Sequence, residues 1–298
     1  MSIAIIAEYN PFHNGHIYQI KEAKKRWPNE RIIIIMSGKY VQRGELAVAS
    51  FEKRANIAKQ YGADDVIELP FKFATQAAHI FARGAVHTAV NNGATKLFFG
   101  SESNNVDNLK LIANTIHNNK SIYNKTLKKY LKQGFSFPKS AAESLSELSG
   151  QNITLPNDIL GLEYIKTIVE DKLEIEPHSL KRTIAFHSDE SKEKFASASF
   201  IRKEIFAGND VSQWTPMIFD KLPERIEEHY PTFQNIINKS TPEELRKCPL
   251  ISEGMENLFK KHIDAKTFEE FVDRTNSRRY TSSRIKRVML YLLLRIKK

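Results

Sequence analysis

The amino-acid sequence predicts an α/β fold, in which a parallel sheet covered by helices is followed by a helical C-terminal region. Strand and helix patterns alternate through the first hundred residues, and the strands are continuous apolar runs. Such runs are typical of parallel sheets that are buried on both faces. Only helical patterns follow after about residue 210. We therefore expect two domains, 1–210 with the catalytic sheet and 211–298 as a basic helical unit.

Four short apolar or β-branched runs are predicted to be strands. They lie at residues 3–7, 32–36, 65–69 and 96–99. The segments between them have helical patterns, which end at a proline or near a glycine that stops a helix. These helices are expected at residues 15–27, 51–61 and 76–91.

The region after the fourth strand is predicted to be mostly helical. Residues 104–149 are helical and polar, and a second helical run follows Pro156. Asn157 or Asp158 is expected to cap that helix, because their side chains readily accept amide hydrogens at a helix start. One further short strand is expected at 182–187.

Polar segments stand where three of the predicted strands end. They are residues 8–16 after the first strand, 37–45 after the second and 100–102 after the fourth. Ligands of parallel sheets bind beyond the carboxyl ends of the strands. The sequence therefore predicts a binding site at this edge of the sheet.

The segment His13-Asn14-Gly15-His16 carries the clearest chemical signal. It lies at a strand-to-helix turn, where free amides and the helix dipole favour an anion. Gly15 lets the backbone approach a phosphate closely. The imidazoles are three residues apart, so both point the same way and can donate to phosphate oxygens. The alternatives are two surface histidines or a two-ligand metal site.

Composition favours an ordinary globular protein with a polyanionic partner. The net charge is +10 and the sequence pI is about 9.4, which suits RNA or DNA, although a basic enzyme without such a partner has the same balance. Cys248 is the single cysteine, so no disulfide framework or cysteine-based zinc site forms within one chain. Neither a signal peptide nor a membrane span nor a protein partner is indicated, and a soluble cytoplasmic protein is expected.

The last part of the chain is strongly basic. No acidic residue follows Asp273. The cations expected to contact an RNA backbone are Arg278, Arg279, Arg284, Lys286 and Arg287. The alternative is an amphipathic helix whose apolar face is core and whose charges are simply solvated.

Other candidates have a structural and a functional interpretation each. Arg43 and Glu45 are either catalytic or paired with each other in a turn. Arg182, beside Lys181 and before a predicted strand, is either a phosphate ligand or part of a solvated basic pair. Arg202 follows a serine-rich turn and is favoured as a phosphate ligand.

The motifs resemble a known superfamily. A strand followed by Asn-Pro-Phe-His-x-Gly-His and a helix is similar to nucleotidyltransferases with a paired-histidine motif. The segment from Ser197 to Arg202 resembles their second motif, in which hydroxyls and an arginine hold the triphosphate. The resemblance implies a Rossmann-like nucleotidyltransferase fold, with His13, His16 and Arg202 as catalytic residues.

A narrower resemblance covers most of the chain and is to the bacterial tRNA(Met) cytidine acetate ligase family. Five segments match that family in order, and a sixth, Arg278-Arg279-Tyr280-Thr281, looks similar. The five are Glu8 to His16, Met36 to Gly38 with Gln42 to Glu45, Glu68-Leu69-Pro70, Phe99 to Glu102, and Pro156 to Gly161.

The resemblance implies that ATP is the co-substrate and that a set of residues binds it. They are Ile6, Ala7, Glu8, Tyr9, Asn10, Pro11, Phe12, His13, Asn14, Gly15, His16, Ile17, Tyr18, Gln19, Gly100, Asn157, Arg182, Ser197 and Ser199. Mg²⁺ is expected with the triphosphate, and no protein metal site is predicted. For Asn157 the residues alone favour helix capping, and the resemblance favours a nucleotide contact.

The reaction that the resemblance implies has two steps. Acetate attacks the α-phosphate of ATP and gives acetyl-adenylate and pyrophosphate. The amine of the wobble cytidine of elongator methionine tRNA then attacks the acetyl carbon and gives N4-acetylcytidine and AMP. Acetate and this tRNA are therefore the expected partners.

Two departures from the family pattern leave alternatives open. Typical members continue past the last motif, whereas this sequence stops at Lys298, and Phe200 stands where a hydroxyl residue is common. A small-molecule adenylyl- or cytidylyltransferase of the same superfamily is the second interpretation. A silent RNA-binding protein is the third, against which intact His13, Gly15, His16 and Arg202 argue.

Overall fold

The structure is a computed structural model that describes residues 1–182 and 194–298. Its sheet has five strands in the order β3-β2-β1-β4-β5, and every neighbouring pair is parallel. The strands are β1 Ser2–Ala7, β2 Arg31–Ser37, β3 Asp65–Leu69, β4 Lys96–Ser101 and β5 Glu176–Lys181. The predicted parallel α/β fold is confirmed.

Helices connect the strands and build the C-terminal region. In the N-terminal part they are α1 Asn14–Arg26, α2 Phe51–Gln60, α3 Phe71–Ala74, α4 Ala78–Asn91, α5 Val106–Asn118, α6 Lys120–Lys132, α7 Phe137–Ser149, α8 Pro156–Asp171 and α9 Ala198–Phe206. After a 3₁₀ turn at Ile226–His229 they are α10 Tyr230–Lys239, α11 Pro242–Leu245, α12 Met255–His262, α13 Phe268–Thr275 and α14 Ser282–Leu293. Among the described residues, no helix is both long and apolar enough to cross a bilayer.

The sheet order creates a crevice at its centre. The chain runs from β1 outward to β2 on one side and returns to β4 on the other. Where the order reverses in this way, the loops after β1 and β4 separate and leave room for a ligand. The segment after β1 therefore borders the crevice.

The fifth strand is one that the sequence did not predict, and most of the strand predicted after it lies outside the described residues. A strand was expected at 182–187, of which only Arg182 is described, and β5 lies before it, at Glu176–Lys181. It forms the edge of the sheet, where a proline is tolerated because one side of the strand needs no partner. Lys181 ends β5, and Arg182 directly follows this strand.

The start of α8 also differs from the prediction. Pro156 is its first residue and Leu155 is the cap residue, which makes no side-chain cap bond. Neither Asn157 nor Asp158 caps the helix. Instead, the Glu102 carboxylate accepts the backbone amides of both residues at 3.1 and 3.0 Å. A residue 55 positions away thus performs the capping.

Two apolar cores lie on the two faces of the sheet, and a separate core fills the C-terminal helices. The C-terminal core begins at Ile226. Val211 and Trp214 pack instead with Ile201 and Ile205 of α9. This packing favours a domain boundary nearer to residue 226, while the division at 211 stays a prediction.

Candidate active site

The two histidines of the motif hold each other in place. His13 precedes α1, and its Nδ1 accepts the amide of Gly15 at 3.0 Å. The Nδ1 of His16 accepts the amide of His13 at 3.2 Å. The rings stack with 3.7 Å between their centroids. Since each Nδ1 is an acceptor, each neutral ring carries its proton on Nε2.

Both imidazoles are held uncharged. Burial lowers the pKa of His13 to about 3, and Arg182 and Arg202 add to the effect. Burial, followed by His13 and Arg182, holds the pKa of His16 well below its usual value. His13 is only 7 % exposed, so it is not a surface histidine. The pair therefore offers two neutral N–H donors at a helix start, beside two guanidinium groups.

Aromatic side chains of the turn after β1 pack against the His16 ring. Tyr9 lies 4.6 Å from the His16 ring and 4.8 Å from the Phe12 ring, between centroids. Tyr9 and Phe12 are buried. Tyr9 has a φ of 49°, a backbone conformation that residues other than glycine rarely adopt and that requires support from its surroundings. The turn after β1 is thus fixed by its own aromatic residues.

Arg202 reaches the same turn from the second motif. Its guanidinium donates to the Asn10 carbonyl at 2.7 Å, and the Asn10 side chain accepts the amide of Val48 at 2.8 Å. Ser197 caps α9 by accepting the amide of Phe200 at 3.1 Å, and its hydroxyl lies 3.0 Å from that of Ser199. The two predicted motifs therefore meet in space.

The end of β4 and the start of α8 form another wall. The Arg182 guanidinium donates to the side-chain oxygen of Asn157 at 3.4 Å, and the side-chain nitrogen of Asn157 donates to the Glu102 carboxylate at 2.5 Å. A Cβ on Gly100 would lie 3.5 Å from the Arg182 side chain, an ordinary van der Waals contact, so Gly100 lies directly beside Arg182. The predicted residues Gly100, Asn157 and Arg182 are brought together.

These groups line one cleft of about 760 Å³. Its lining includes the predicted residues Ile6, Ala7, Glu8, Tyr9, Asn10, His13, His16, Gln19, Gly100, Asn157, Arg182, Ser199 and Arg202. A small neighbouring cavity of about 50 Å³ is lined by Gly15 and Tyr18 as well as the two histidines.

The other predicted ATP ligands have structural contacts around the cleft. Pro11 and Phe12 are buried beneath the turn, and Ile17 packs on the core. The Asn14 amide donates to the carbonyls of Lys194 and Gln213 at 2.7 and 2.9 Å. These residues hold the turn in shape.

The basic C-terminal residues are engaged rather than simply solvated. Arg278 lies over the Phe135 ring at 3.6 Å, Arg279 lies 3.6 Å from Glu253, and Arg284 donates to the Ser252 hydroxyl at 2.7 Å. Arg279, Arg284 and Arg287 line the cleft. The apolar face of α14 is core, as the amphipathic alternative predicted, with Ile285, Val288 and Met289 fully buried.

Arg43 and Glu45 both line the cleft. The Glu45 carboxylate pairs with Lys286 of α14 at 2.6 Å, and the charge of Arg43 also acts on it. Burial opposes the charged form of Glu45, yet the Lys286 ammonium, together with Arg202 and Arg43, outweighs burial and lowers the pKa of that carboxyl.

Sequence reasoning missed Arg54, which organises the strand ends. It is fully buried. Its guanidinium donates to the carbonyls of Glu8 at 2.6 Å and Ser37 at 3.0 Å, and also to those of Gly38 and Ala49. It thus ties the loop after β1 to the loop after β2. An arginine within a helix carries no sequence signal that distinguishes this role from a solvated one.

The fold and the site define a nucleotidyl transferase. The family model described as HIGH Nucleotidyl Transferase matches residues 1–298. Curated relatives named tRNA(Met) cytidine acetate ligase are 54% identical in Mycoplasma mobile and in Mycoplasmopsis pulmonis, with all of each chain covered. The chain belongs to the tRNA(Met) cytidine acetate ligase family.

More distant relatives agree with this assignment. The Bacillus licheniformis enzyme of the same name is 34% identical, with 100% of this chain and 77% of that one covered. The crystal structure of apo Thermotoga maritima TmcAL superposes with a TM-score of 0.90 at 30% identity, covering 100% of this chain and 76% of that one. The same protein bound with alpha-thio ATP gives a TM-score of 0.85. Members that continue beyond the matched region and members of the same span thus both occur.

Proposed function

We propose that this chain is an ATP-dependent ligase that activates acetate as acetyl-adenylate and acetylates the wobble cytidine of elongator tRNA(Met). The observation that carries the proposal is the stacked, uncharged pair of His13 and His16, beside Arg182 and Arg202 in a cleft at the centre of the sheet. The names of the curated relatives and the ATP analogue bound by Thermotoga maritima TmcAL support it.

In the first step, an acetate oxygen attacks the α-phosphorus of ATP, and the bond to the bridging oxygen of pyrophosphate breaks. Negative charge grows on the phosphate oxygens and on the leaving group. The Nε2–H groups of His13 and His16 donate to these oxygens, and Arg202 adds positive charge. Donors fixed before the reaction lower the barrier because they need no rearrangement as charge develops.

The nucleoside of ATP is assigned to the wall made by Gly100, Asn157 and Arg182. Gly100 places no side chain on this wall, which suits a flat group, and Asn157 is held in one orientation by Glu102. A fixed amide beside a flat wall suits a purine or a ribose hydroxyl.

Magnesium would enter this site with the triphosphate. Within residues 1–182 and 194–298, no group of three or more His, Cys, Asp or Glu side chains is arranged to hold a metal ion. Mg²⁺ in nucleotide sites commonly keeps several waters and binds through substrate phosphates. Its contribution would be to neutralise charge on the pyrophosphate.

In the second step, the N4 amine of the cytidine attacks the acetyl carbon, the amine loses a proton, and AMP leaves. The tRNA would approach the open side of the cleft, where Arg279 and Arg284 contribute to the lining. The net charge of +10 favours this polyanion, with binding that weakens as salt rises.

The test is incubation with ATP, radiolabelled acetate and tRNA(Met), followed by digestion and separation of the nucleosides. Label in acetylcytidine that requires both ATP and tRNA supports the proposal. A matched tRNA(Met) with uridine at the wobble position should remain unlabelled. If neither labelled nucleoside nor acetate-dependent ATP–pyrophosphate exchange appears, the proposal is wrong.

A further inference from the structure

We infer that helix α14 positions the adenylation site, with Lys286 and Arg287 as positioning residues that hold the loop 41–45 against Glu8. The inference rests on the adenylation chemistry proposed above. It gives these two cations a role different from contact with the tRNA backbone. Its basis is a continuous set of contacts from α14 to the turn that follows β1.

The first contact is made by the backbone N–H and C=O groups of Gln42. The Gln42 amide donates to the Glu8 carboxylate at 2.7 Å, and the Gln42 carbonyl accepts from the Arg287 guanidinium at 3.2 Å. The Gln42 side chain also donates to the Gln76 carbonyl at 2.9 Å. One residue is therefore fixed from the turn after β1 on one side and from α14 on the other.

The second contact is the ion pair of Lys286 and Glu45. The two side chains are each 24 % exposed and are separated by 2.6 Å. Both are thus shielded enough for the pair to fix a geometry, unlike most exposed pairs. Glu45 ends the same loop that begins at Val41.

The third contact is between backbones. Gly44 has a φ of 81°, and a Cβ at this position would lie 2.6 Å from the backbone nitrogen of Arg287. The loop therefore lies directly on the first turns of α14, without a side chain between them. Together, the three contacts fix Arg43, which lies inside the loop and lines the cleft.

Burial separates this role from RNA contact. Arg287 is only 8 % exposed, and burial lowers its pKa to about 10, which leaves it charged at neutral pH. Its guanidinium is directed to a carbonyl of the loop. A buried, committed cation has little capacity to neutralise an RNA phosphate, whereas the same bond fixes the loop that borders ATP.

The test measures acetate-dependent ATP–pyrophosphate exchange without tRNA, in Lys286→Met and Arg287→Met variants. Each loses one charged hydrogen bond and keeps its apolar stem, so kcat should fall about tenfold. Lys286→Arg should recover most of the rate, because it keeps the pair with Glu45. Arg274→Gln, an exposed arginine of the same helical unit that pairs with Glu270, is the control and should match the wild type.

The tRNA affinity of the two methionine variants distinguishes the positioning role from direct RNA contact. If both methionine variants exchange at the wild-type rate and bind tRNA more weakly, Lys286 and Arg287 are RNA contacts and the inference is wrong. Retained thermal unfolding midpoints would show that any loss of kcat is local.

Amide hydrogen exchange decides the inference even if the wild type proves inactive, in which case the proposed function alone fails. The Gln42 amide should be protected in the wild type. In Arg287→Met it should exchange about tenfold faster, since one hydrogen bond that holds the loop is lost. Unchanged exchange across residues 41–45 would overturn the positioning role.

Discussion

Glu102 and Asp158 cap each other's segments. The Glu102 carboxylate accepts the amide of Asp158 at 3.0 Å, and the Asp158 carboxylate accepts the amide of Glu102 at 3.1 Å. Asp158 is only 4 % exposed. This reciprocal pair joins the loop after β4 to the start of α8, and it sets the distance between Gly100 and Asn157 across the predicted nucleotide wall.

A Glu102→Gln substitution should therefore weaken ATP binding. Glutamine keeps one acceptor oxygen for the backbone amides of Asn157 and Asp158, which share Oε2, but it loses the oxygen that accepts the Asn157 side-chain amide at 2.5 Å. We expect KM for ATP to rise about tenfold, as one hydrogen bond to a charged group is lost. Steady-state ATP–pyrophosphate exchange measures it, with Glu174→Gln, an exposed glutamate, as the control. An unchanged KM would show that the pair does not position the nucleotide wall.

Removal of one imidazole should abolish most of the adenylation rate. His16→Ala deletes one preorganised donor, for which we expect a loss of roughly 10²–10³-fold in acetyl-adenylate formation. Binding of tRNA should stay within about twofold, since no large group at the RNA face is changed. Single-turnover kinetics and filter binding measure the two quantities. Full turnover by the variant would remove His16 from the catalytic set.

A His13→Asn variant should make stability less sensitive to acid. His13 has a folded pKa of about 3 against 6.5 for the free side chain, so below pH 6.5 the unfolded chain takes up a proton that the folded protein does not. The contribution of neutral His13 to the free energy of unfolding is thus fully present above pH 6.5 and declines as the pH falls towards 3.

Asparagine at the same position can still cap α1 but does not titrate. The free energy of unfolding should then fall less steeply between pH 6.5 and pH 4 than it does in the wild type. Urea unfolding across this range measures the two slopes. Equal slopes would mean that His13 is accessible to protons in the folded protein.

Substitution of the buried arginine should affect folding itself. Arg54→Met leaves several strand-end carbonyls without a donor, and we expect a loss of about 3–5 kcal/mol in the free energy of unfolding. Lys59→Met, on an exposed position of the same helix, should change it by less than about 0.5 kcal/mol. Chemical denaturation measures both. A small effect at Arg54 would show that water replaces its hydrogen bonds.

A comparison of alanine substitutions at two glycines distinguishes the cost of backbone strain from the cost of a steric clash. Gly44 and Gly93 have φ values of 81° and 80°, but a Cβ at Gly93 would meet nothing within 4 Å. Gly93→Ala should cost about 1–2 kcal/mol from conformation alone. Gly44→Ala should cost more and should also slow adenylation, because it pushes the loop away from α14. Equal costs with equal activity would mean that the loop and α14 separate easily.

The parts that sequence could predict are those in which local pattern and tertiary role coincide. The apolar run in β2 is buried because a central parallel strand is covered on both faces. His13 and His16 meet because the residue that caps a helix lies beside the third residue inside that helix. In both cases the determining neighbours lie a few positions away.

The parts that sequence could not predict depend on distant partners. The edge strand β5 contains a proline and several polar residues, so it lacks the apolar run that signals a central strand. Lys286 and Glu45 are 241 positions apart, and no local pattern relates them. Arg54 has the same sequence context as a solvated helical arginine.

The Asn14 contacts have a consequence for synthesis on the ribosome. The Asn14 side chain donates to the carbonyls of Lys194 and Gln213, and the Asn14 backbone amide donates to the Trp214 carbonyl at 2.9 Å. The paired histidines are made about two hundred residues before Gln213 and Trp214, so their surroundings close only after those later residues have emerged. A nascent chain that folds from its N-terminus would carry an early sheet with an unfinished phosphate loop.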